Sequence, residues 1–343
     1  MRARCRRCRC WSATTTPPAS STTPPVPNAP WTWRIRRAGP SPASSGTGRV
    51  SSTEDLVWIA PQTTTLGSDA HYPEESPARK VSVDGFWMQR HQVTNARFAE
   101  FVDATGYRTV AERPPDPAQY PGAAPQNLVP GSMVFRRTAG PVDLRHLSQW
   151  WVWTPGACWN HPRGPRSSLR NRDDHPVVHI AFEDAQSYAE WAGLALPSEA
   201  QWEVAARGGL DGAVYTWGDA PEQPGERRAN YWHGEFPHLP DTGYGTTAAV
   251  GSFAPNGYGL CDMAGNVWEW TSDWYGRDPA TGTRCAADSY DPGQPQFAIP
   301  RKVIKGGSFL CADSYCLRYR PAARRPQMID TGMSHIGFRC VRS

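Results

Sequence analysis

The stretch KGGSFLCADSYCLRYRPAAR, residues 305–324, carries the most distinctive pattern of this chain. Two cysteines, Cys311 and Cys316, lie five positions apart after a Gly-Gly-Ser approach and before three arginines. Three interpretations fit such a pair: a structural disulfide, half of a zinc site, or a two-thiolate site for a soft metal or for redox chemistry. The spacing alone leaves all three open.

The composition around this stretch predicts a turn-rich protein. The 343 residues include 31 Gly, 34 Pro and 16 Trp, and hydrophobic residues make up only 39%. We therefore expect many turns, few long helices and a core in which the tryptophans take part. The length allows one large domain or two ordinary ones.

The N-terminal region differs from the rest of the chain. Its first 50 residues hold nine of the 36 basic residues and no acid, which leaves 27 basic against 32 acidic residues beyond it. Residues 1–52 are basic and then Pro/Thr/Ser-rich, and we predict a disordered extension. Residues 53–343 are predicted to form one domain.

Several classes of partner and location are disfavoured. The mildly acidic body argues against nucleic-acid binding, and no apolar run is long enough to span a membrane. The basic N-terminus lacks the apolar segment of a signal peptide. Nine cysteines, an odd number, do not suggest a disulfide scaffold. We expect a cytoplasmic protein.

Local patterns predict two strands near the start of the domain. The segments LVWIAP (56–61) and VSVDGFWMQR (81–90) read as strands.

The segment HPVVHIAFEDAQSYAEWAG (175–193) predicts a buried strand and then a helix from about Glu183. Residues 111–147 read mostly as loop.

Two further helices have clear ends. In VTNARFAEFVDATGY, Thr94 or Asn95 is the expected cap and Gly106 the stop. In LPSEAQWEVAARGG, Ser198 and Gln201 form the S-x-x-Q pattern of a capping box.

These segments, with ANYWHGEFP, NGYGLCDMAGNVWEWTSDW and GGSFLCADSYCLRYRPAAR, occur in the order of one family. From about Thr53 onward the chain closely resembles the formylglycine-generating enzymes, or sulfatase-modifying factors. The W-E-x-A-A-R-G-G and G-N-V-W-E-W motifs mark only a broad superfamily, whereas the C-x4-C marks the members that modify sulfatases. The resemblance implies a single compact α+β domain related to C-type lectins, with little regular secondary structure.

The resemblance also implies an activity. Members convert the cysteine of a sulfatase C-x-P-x-R segment to Cα-formylglycine with O2 and copper. The expected partners are an unfolded or nascent sulfatase and a thiol reductant, and the expected state is a monomer. Cys311 and Cys316 would hold Cu(I), while Ser308, Tyr315 and Trp268 would line the pocket for oxygen and substrate.

The loop GLCDMAGNVWEW resembles a structural calcium site of the family. Asp262 and Glu269 would supply carboxylate oxygens, and Gly265 and Val267 backbone carbonyls, which suits a hard ion. The alternative is a loop closed by hydrogen bonds alone.

A second family calcium site would use a neighbouring loop. Its ligands here would be Asn230, the Tyr231 carbonyl and Asp241, but the loop is shortened and Asp241 is only a plausible replacement.

Several positions depart from the family pattern. His335 replaces an Asn expected near the substrate groove, and Ala312 follows the first cysteine where His is common. We assign His335 and Arg320 to substrate binding; Arg320, like Arg324, would serve the scaffold and the electrostatics of the cleft rather than the chemistry. Cys340 lacks its family disulfide partner because Ala189 stands at that position, which favours a reducing compartment.

Two alternatives to the copper oxidase stay open. One is a relative that makes sulfoxides with non-haem iron, which calls for a further His-rich helical domain not visible in the sequence. The other is a catalytically silent, lectin-like binding module.

Overall fold

The computed structural model describes residues 55–276, 285–295 and 298–343, apart from the side chain of Asn127. The predicted extension, residues 1–52, lies outside these ranges. The described part is an α+β domain with three α-helices and thirteen short strands. The helices are α1 (Asn95–Thr105), α2 (Phe182–Trp191) and α3 (Glu199–Arg207). The strands are β1 (Leu56–Ile59), β2 (Gln62–Leu66), β3 (Arg79–Val83), β4 (Phe86–Gln89), β5 (Gly131–Phe135), β6 (Trp151–Pro155), β7 (Gly234–Glu235), β8 (Leu239–Pro240), β9 (Trp268–Trp274), β10 (Arg301–Lys305), β11 (Arg324–Met328), β12 (Ile336–Gly337) and β13 (Val341–Arg342).

Helices α1 and α3 begin where the sequence predicts, and α1 also ends at the predicted residue. Thr94 caps α1 by accepting a hydrogen bond from the Arg97 amide, and Gly106 ends the helix in the left-handed conformation. At α3 the reciprocal capping box is complete, with the Gln201 amide bonded to Ser198 and the Ser198 amide to the Gln201 side chain. Among the described residues, no helix is both long and apolar enough to cross a membrane.

Four strands form the sheet that carries the C-x4-C stretch, in the order β11-β10-β9-β12. Strands β9, β10 and β11 pair antiparallel, and the short β12 runs parallel to β9. A second sheet, β1-β4-β13, joins the start of the domain to its C-terminus. The pairs β2-β3, β5-β6 and β7-β8 form separate hairpin-like ribbons.

Two sequence predictions are wrong, and a third needs an addition. The segment 81–90 is not one strand but parts of β3 and β4, interrupted at Gly85, where a Cβ would lie 2.6 Å from the Trp58 ring. The region 111–147 is mostly loop, as predicted, but it also contains β5, which pairs with β6. No regular strand forms at residues 175–181, because His179 has φ of 63° and the amides of Val177 and His179 bond to two different segments.

Buried charges hold the C-x4-C stretch to α3. The Lys305 ammonium is fully buried and lies 3.0 Å from Glu203, which also pairs with Arg207. At the end of the stretch, Arg324 makes a two-bond contact to Glu199. Because each buried charge has an opposite partner, this network fixes both ends of the segment relative to the helix.

Candidate active site

Two glycines with positive φ, Gly306 and Gly307, follow strand β10. They lead into the cysteine turn, which is the turn that contains Cys311 and Cys316. A Cβ on Gly307 would lie 2.8 Å from the Tyr319 backbone, so only glycine fits there. The turn then closes on itself, because the amides of Tyr315 and Cys316 both donate to the Ala312 carbonyl. This turn brings together two cysteines that are five positions apart.

The two sulfur atoms of Cys311 and Cys316 lie 3.5 Å apart and both side chains are buried. A hydrogen bond from the Cys311 thiol, with the nearby charges of Arg325 and Arg318, lowers the pKa of Cys316. Burial, and then the neighbouring sulfur of Cys316, raises the pKa of Cys311 well above its usual value. The pair is therefore poised as one thiolate and one thiol. The described cysteines are all free, so the disulfide interpretation does not hold here.

The pair lies in a cavity of about 410 Å³. All five residues predicted for the catalytic site line it: Trp268, Ser308, Cys311, Tyr315 and Cys316. His335 lines it too. A larger cleft, of about 880 Å³ beside α2, contains none of the predicted residues.

Aromatic rings shape the cavity. The Tyr315 ring stacks on Phe236 at 4.8 Å and meets Trp150 edge-on at 5.7 Å. Trp151 packs against His335 with ring centroids 4.7 Å apart. Trp150 and Trp151 thus form part of the cavity wall.

Arg325 is the functional candidate that the sequence interpretation missed. It lines the cavity, and its charge is among the causes that lower the pKa of Cys316. Arg325 directly follows Arg324, the last residue of the stretch quoted at the start. It lies on β11, where it pairs with Ile304 of β10. Strand alternation after Arg324 would have placed the two arginines on opposite faces of the sheet, which was the available signal.

Arg320 does not line the cavity, contrary to its assignment to substrate binding. Its guanidinium is buried and forms two hydrogen bonds, of 2.9 and 2.6 Å, with the buried carboxylate of Glu75. Arg318 pairs with the adjacent Glu74 and lies 3.7 Å from the centre of the Tyr72 ring. The two arginines anchor the cysteine turn to residues 72–75.

His335 presents an imidazole to the cavity wall. Burial, together with the charge of Arg325, lowers its pKa well below the usual value, so the ring is neutral. Among the residues that the structure describes, none forms a hydrogen bond to its buried Nδ1 atom. A buried polar atom without a partner beside a cavity is a position where a bound molecule can be recognised.

The loop predicted to bind calcium is closed by the protein's own donors. Glu269 is fully buried, and both of its oxygens accept hydrogen bonds from Arg339, at 2.8 and 2.9 Å. Trp202 and Gln92 add one bond each, at 2.7 and 2.9 Å. The Arg339 guanidinium thus takes the place of the metal cation that the Glu269 carboxylate was expected to bind.

Three further oxygens of this loop also face a donor, one of them the Asp262 Oδ2 atom, which accepts a hydrogen bond from the Gly251 amide at 2.7 Å. The Gln92 side-chain nitrogen lies 3.3 Å from the Asp262 carbonyl and 3.4 Å from the Val267 carbonyl. Gly265 is needed for packing, since a Cβ there would lie 2.2 Å from the Asn230 carbonyl oxygen. The arrangement matches the alternative, a loop closed by hydrogen bonds, because the Glu269 carboxylate is already bonded within the domain.

The second predicted calcium site is only partly assembled. Asn230 donates to the Thr246 carbonyl and to Asn266, while its own side-chain oxygen is buried without a partner. The Tyr231 ring stacks on Tyr319. Asp241 is exposed, and within the described residues no hydrogen bond connects its carboxylate to Asn230. The side-chain oxygen of Asn230 is therefore available for a cation, but no described contact joins it to Asp241, the acid predicted to complete the site.

Similarity to known proteins identifies the family. Residues 42–343 match the family model of the sulfatase-modifying factor enzyme 1-like domain. A formylglycine-generating enzyme of Mycobacterium tuberculosis is 52% identical, over 84% of this chain and 97% of that protein. Another of Thermomonospora curvata is 47% identical, over 79% and 86%. An inactive Cα-formylglycine-generating enzyme 2 of Mus musculus is 36% identical, over 81% and 82%.

The structure of PvdO from Pseudomonas aeruginosa shares the fold. It superimposes with a TM-score of 0.56 at 21% identity, covering 84% of this chain and 94% of that one. Fold, cavity and sequence together define a formylglycine-generating-enzyme-like domain with a two-cysteine centre. The chain belongs to the formylglycine-generating enzyme, or sulfatase-modifying factor, family.

Proposed function

We propose that this protein oxidises the cysteine of a C-x-P-x-R segment in an unfolded sulfatase to Cα-formylglycine, and so activates the sulfatase. The observation that carries the proposal is the buried pair of sulfurs, 3.5 Å apart, in a cavity lined by Trp268, Ser308 and Tyr315. The relatives named above as formylglycine-generating enzymes support the same activity.

The donor set fits Cu(I). Soft sulfur ligands favour Cu(I), and the cavity offers two of them within reach of each other. Among the described residues, no group of three His, Cys, Asp or Glu side chains could hold a metal ion. With Cys311 and Cys316 as its protein ligands, the ion would have room for a third sulfur, the thiolate of the client cysteine. When bound, copper would supply the one-electron chemistry through which O2 reacts with this cysteine.

The protein's own groups prepare the site. The lowered pKa of Cys316 provides a thiolate without a strong base, and the charges of Arg325 and Arg318 stabilise it. The Ser308 hydroxyl lies in the cavity and accepts a hydrogen bond from the Leu310 amide, so its proton can point toward a bound client. The rings of Trp150, Trp268 and Tyr315 exclude water and confine the client side chain.

The overall reaction balances only with an external reductant. The thiol side chain of the client cysteine and one O2, with two electrons and two protons from reducing thiols, give the aldehyde, one hydrogen sulfide and one water. A hydrogen leaves the client Cβ, and hydrolysis of the resulting thioaldehyde gives the aldehyde. A cytoplasmic location, where such thiols are abundant, stays a prediction.

Structural calcium is proposed only at Asn230, where the unpaired side-chain oxygen supports it. We assign no ion to the loop that contains Glu269.

The test is a mass spectrum of a C-x-P-x-R peptide after incubation with the protein, Cu(I), O2 and a thiol. We expect the mass loss that accompanies replacement of the cysteine thiol side chain by an aldehyde, and no such product when O2 or copper is omitted. An unchanged peptide under all conditions would favour the silent binding module, a real alternative because the family includes an inactive member.

A further inference from the structure

A second recess contains an unusual concentration of positive charge. This cleft, of about 830 Å³, is lined by four arginines and by no Asp or Glu. The arginines are Arg137, Arg163, Arg166 and Arg172. The chain beyond residue 50 carries more acidic than basic residues, so this arginine cleft is not a reflection of overall composition.

The four guanidinium groups are not neutralised within the described structure. Other arginines, such as Arg97, Arg145 and Arg228, form ion pairs with described carboxylates, whereas these four form none. Arg172, the least exposed of the four, contacts only the neutral atoms His175 Nδ1 and Thr247 Oγ1, at 3.5 and 3.4 Å. Burial, and then the charge of Arg163, lowers the pKa of Arg172.

The lining of the arginine cleft also supplies hydroxyl donors. They belong to Ser167, Ser168, Thr246 and Thr247. Guanidinium groups with hydroxyls around them form charge-assisted, often bidentate, hydrogen bonds to carboxylates. The chemistry of the cleft therefore selects an anionic, oxygen-rich ligand.

The arginine cleft adjoins the cysteine cavity. Phe309 and Ser334 line the cleft, while their chain neighbours Ser308 and His335 line the cavity. Phe135 also lines the cleft, and its ring centroid lies 6.0 Å from that of Trp151, which lines the cavity. One layer of residues thus separates the two recesses. An extended peptide advances about 3.3–3.6 Å per residue, so a chain leaving the cavity reaches the cleft within a few residues.

We propose that the arginine cleft binds an acidic segment of the client polypeptide, a few residues away from the cysteine that enters the cavity. The inference rests on the proposed function for the identity of the client, and it adds a second recognition element to it. Clients with Asp or Glu near the C-x-P-x-R motif would bind more tightly than clients with neutral flanks.

The test uses the full-length protein and synthetic peptides with four Glu, or four Gln, placed before or after the C-x-P-x-R motif. The key variant is Arg137→Gln/Arg163→Gln/Arg166→Gln, which spares the Arg172 contacts and changes only exposed side chains. The matched control is Arg97→Gln/Arg145→Gln/Arg228→Gln, which removes the same charge from exposed arginines outside the cleft.

Binding is measured separately from turnover, by fluorescence anisotropy on peptides whose reactive cysteine is Ser. We expect the wild type to bind one of the Glu peptides about tenfold more tightly than its Gln counterpart at low salt, the sum of three exposed ion pairs of ordinary strength. The preference should shrink at about 0.15 M ionic strength, where charges are screened over about 8 Å. The cleft variant should lose the preference, and the control should keep it.

Turnover of the matching cysteine peptides separates the two proposals. If kcat/KM shows the same Glu preference and the cleft variant still converts the Gln peptides at the wild-type rate, the inference holds. Conversion of Glu and Gln peptides with equal kcat/KM and equal binding overturns the arginine cleft and leaves the proposed function standing. Absence of any conversion overturns the proposed function, while the anisotropy still decides the cleft.

Two further results would also overturn the inference. One is an equal loss of Glu-peptide binding in the control variant, which would show a general effect of net charge. The other is tighter binding of a short DNA duplex than of any Glu peptide, if that binding disappears in the cleft variant.

Discussion

The cysteine cavity and the Glu269 loop were both predicted to hold metal ions. They differ in whether the atoms expected to bind the ion are already bonded to other groups of the protein. In the cavity, two buried sulfurs face each other, and nearby His335 keeps an unpaired Nδ1. In the loop, each oxygen of Glu269 already accepts two hydrogen bonds from side chains of the same domain. The cavity therefore keeps atoms that can bind a ligand, whereas the carboxylate oxygens of Glu269 are already bonded within the domain.

The comparison shows that a motif identifies residues but not their partners. The loop motif contains the oxygen-bearing residues of a calcium site, yet Arg339, 70 positions away, supplies the positive charge internally. The cysteine pair also lies near positive charges, those of Arg325 and Arg318, but the contact printed between them is a long one, 3.9 Å from Arg318 Nη1 to the Cys316 sulfur. Counting donors against acceptors therefore distinguishes a ligand site from a structural ion pair.

The largest expected effect comes from removing either sulfur. Cys311→Ser and Cys316→Ser should each lower peptide turnover more than about 100-fold, since even outer partners of metal ligands typically contribute 10–100-fold. The fold should persist, with the free energy of unfolding lowered by at most about 1–2 kcal/mol. Formylglycine yield and a denaturant titration measure the two quantities.

The matched control is Cys261→Ser, which changes a buried cysteine within the Glu269 loop. It should keep wild-type turnover. Loss of activity in this variant equal to that in Cys316→Ser would remove the distinction between the two regions.

The next largest effect concerns the loop. Glu269→Gln should lower the free energy of unfolding by about 3–5 kcal/mol, because it leaves the buried Arg339 charge without its partner. The double variant Glu269→Gln/Arg339→Met should lose less than the sum of the single changes. Urea unfolding of the three variants provides the measurement.

Two controls accompany this test: a variant of an exposed ion pair, and the addition of a calcium chelator. Glu100→Gln, which breaks the surface pair with Arg97, should cost no more than about 1 kcal/mol. Adding a calcium chelator should leave the stability difference between wild type and Glu269→Gln unchanged. If the chelator instead removes that difference, a bound ion and not Arg339 stabilises the loop.

The sequence predicted what local patterns control. The caps at Thr94 and Ser198 and the stop at Gly106 were correct because a cap depends on residues three or four positions apart. The resemblance placed Cys311, Cys316, Ser308, Tyr315 and Trp268 together. The partners of Glu269 and Arg320 were not predictable in this way, because Arg339 and Glu75 are 70 and 245 positions distant.

A smaller effect should appear on acidification, at the fully buried His179. Burial lowers the pKa of His179 to about 4, from an ordinary 6.5. Between these values the unfolded chain binds a proton that the folded protein does not, so this group leaves stability unaffected above about pH 6.5 and reduces it as the pH falls toward 4. At pH 5 the loss is about 2 kcal/mol.

Urea unfolding between pH 7.5 and pH 5 checks this expectation against His179→Asn, which does not titrate and tolerates the positive φ at this position. The variant should show a correspondingly smaller loss over the same range. Parallel slopes for both proteins would show that His179 is not the group responsible.

The most direct test of the central claim is the Cu(I) content of the protein in a competition titration against a coloured Cu(I) chelator. We predict one Cu(I) per chain in the wild type, in Cys261→Ser and in Glu269→Gln, and none in Cys316→Ser. Retention of the same Cu(I) by Cys316→Ser, or no uptake by the wild type, would contradict the assignment of the cysteine pair as the working centre.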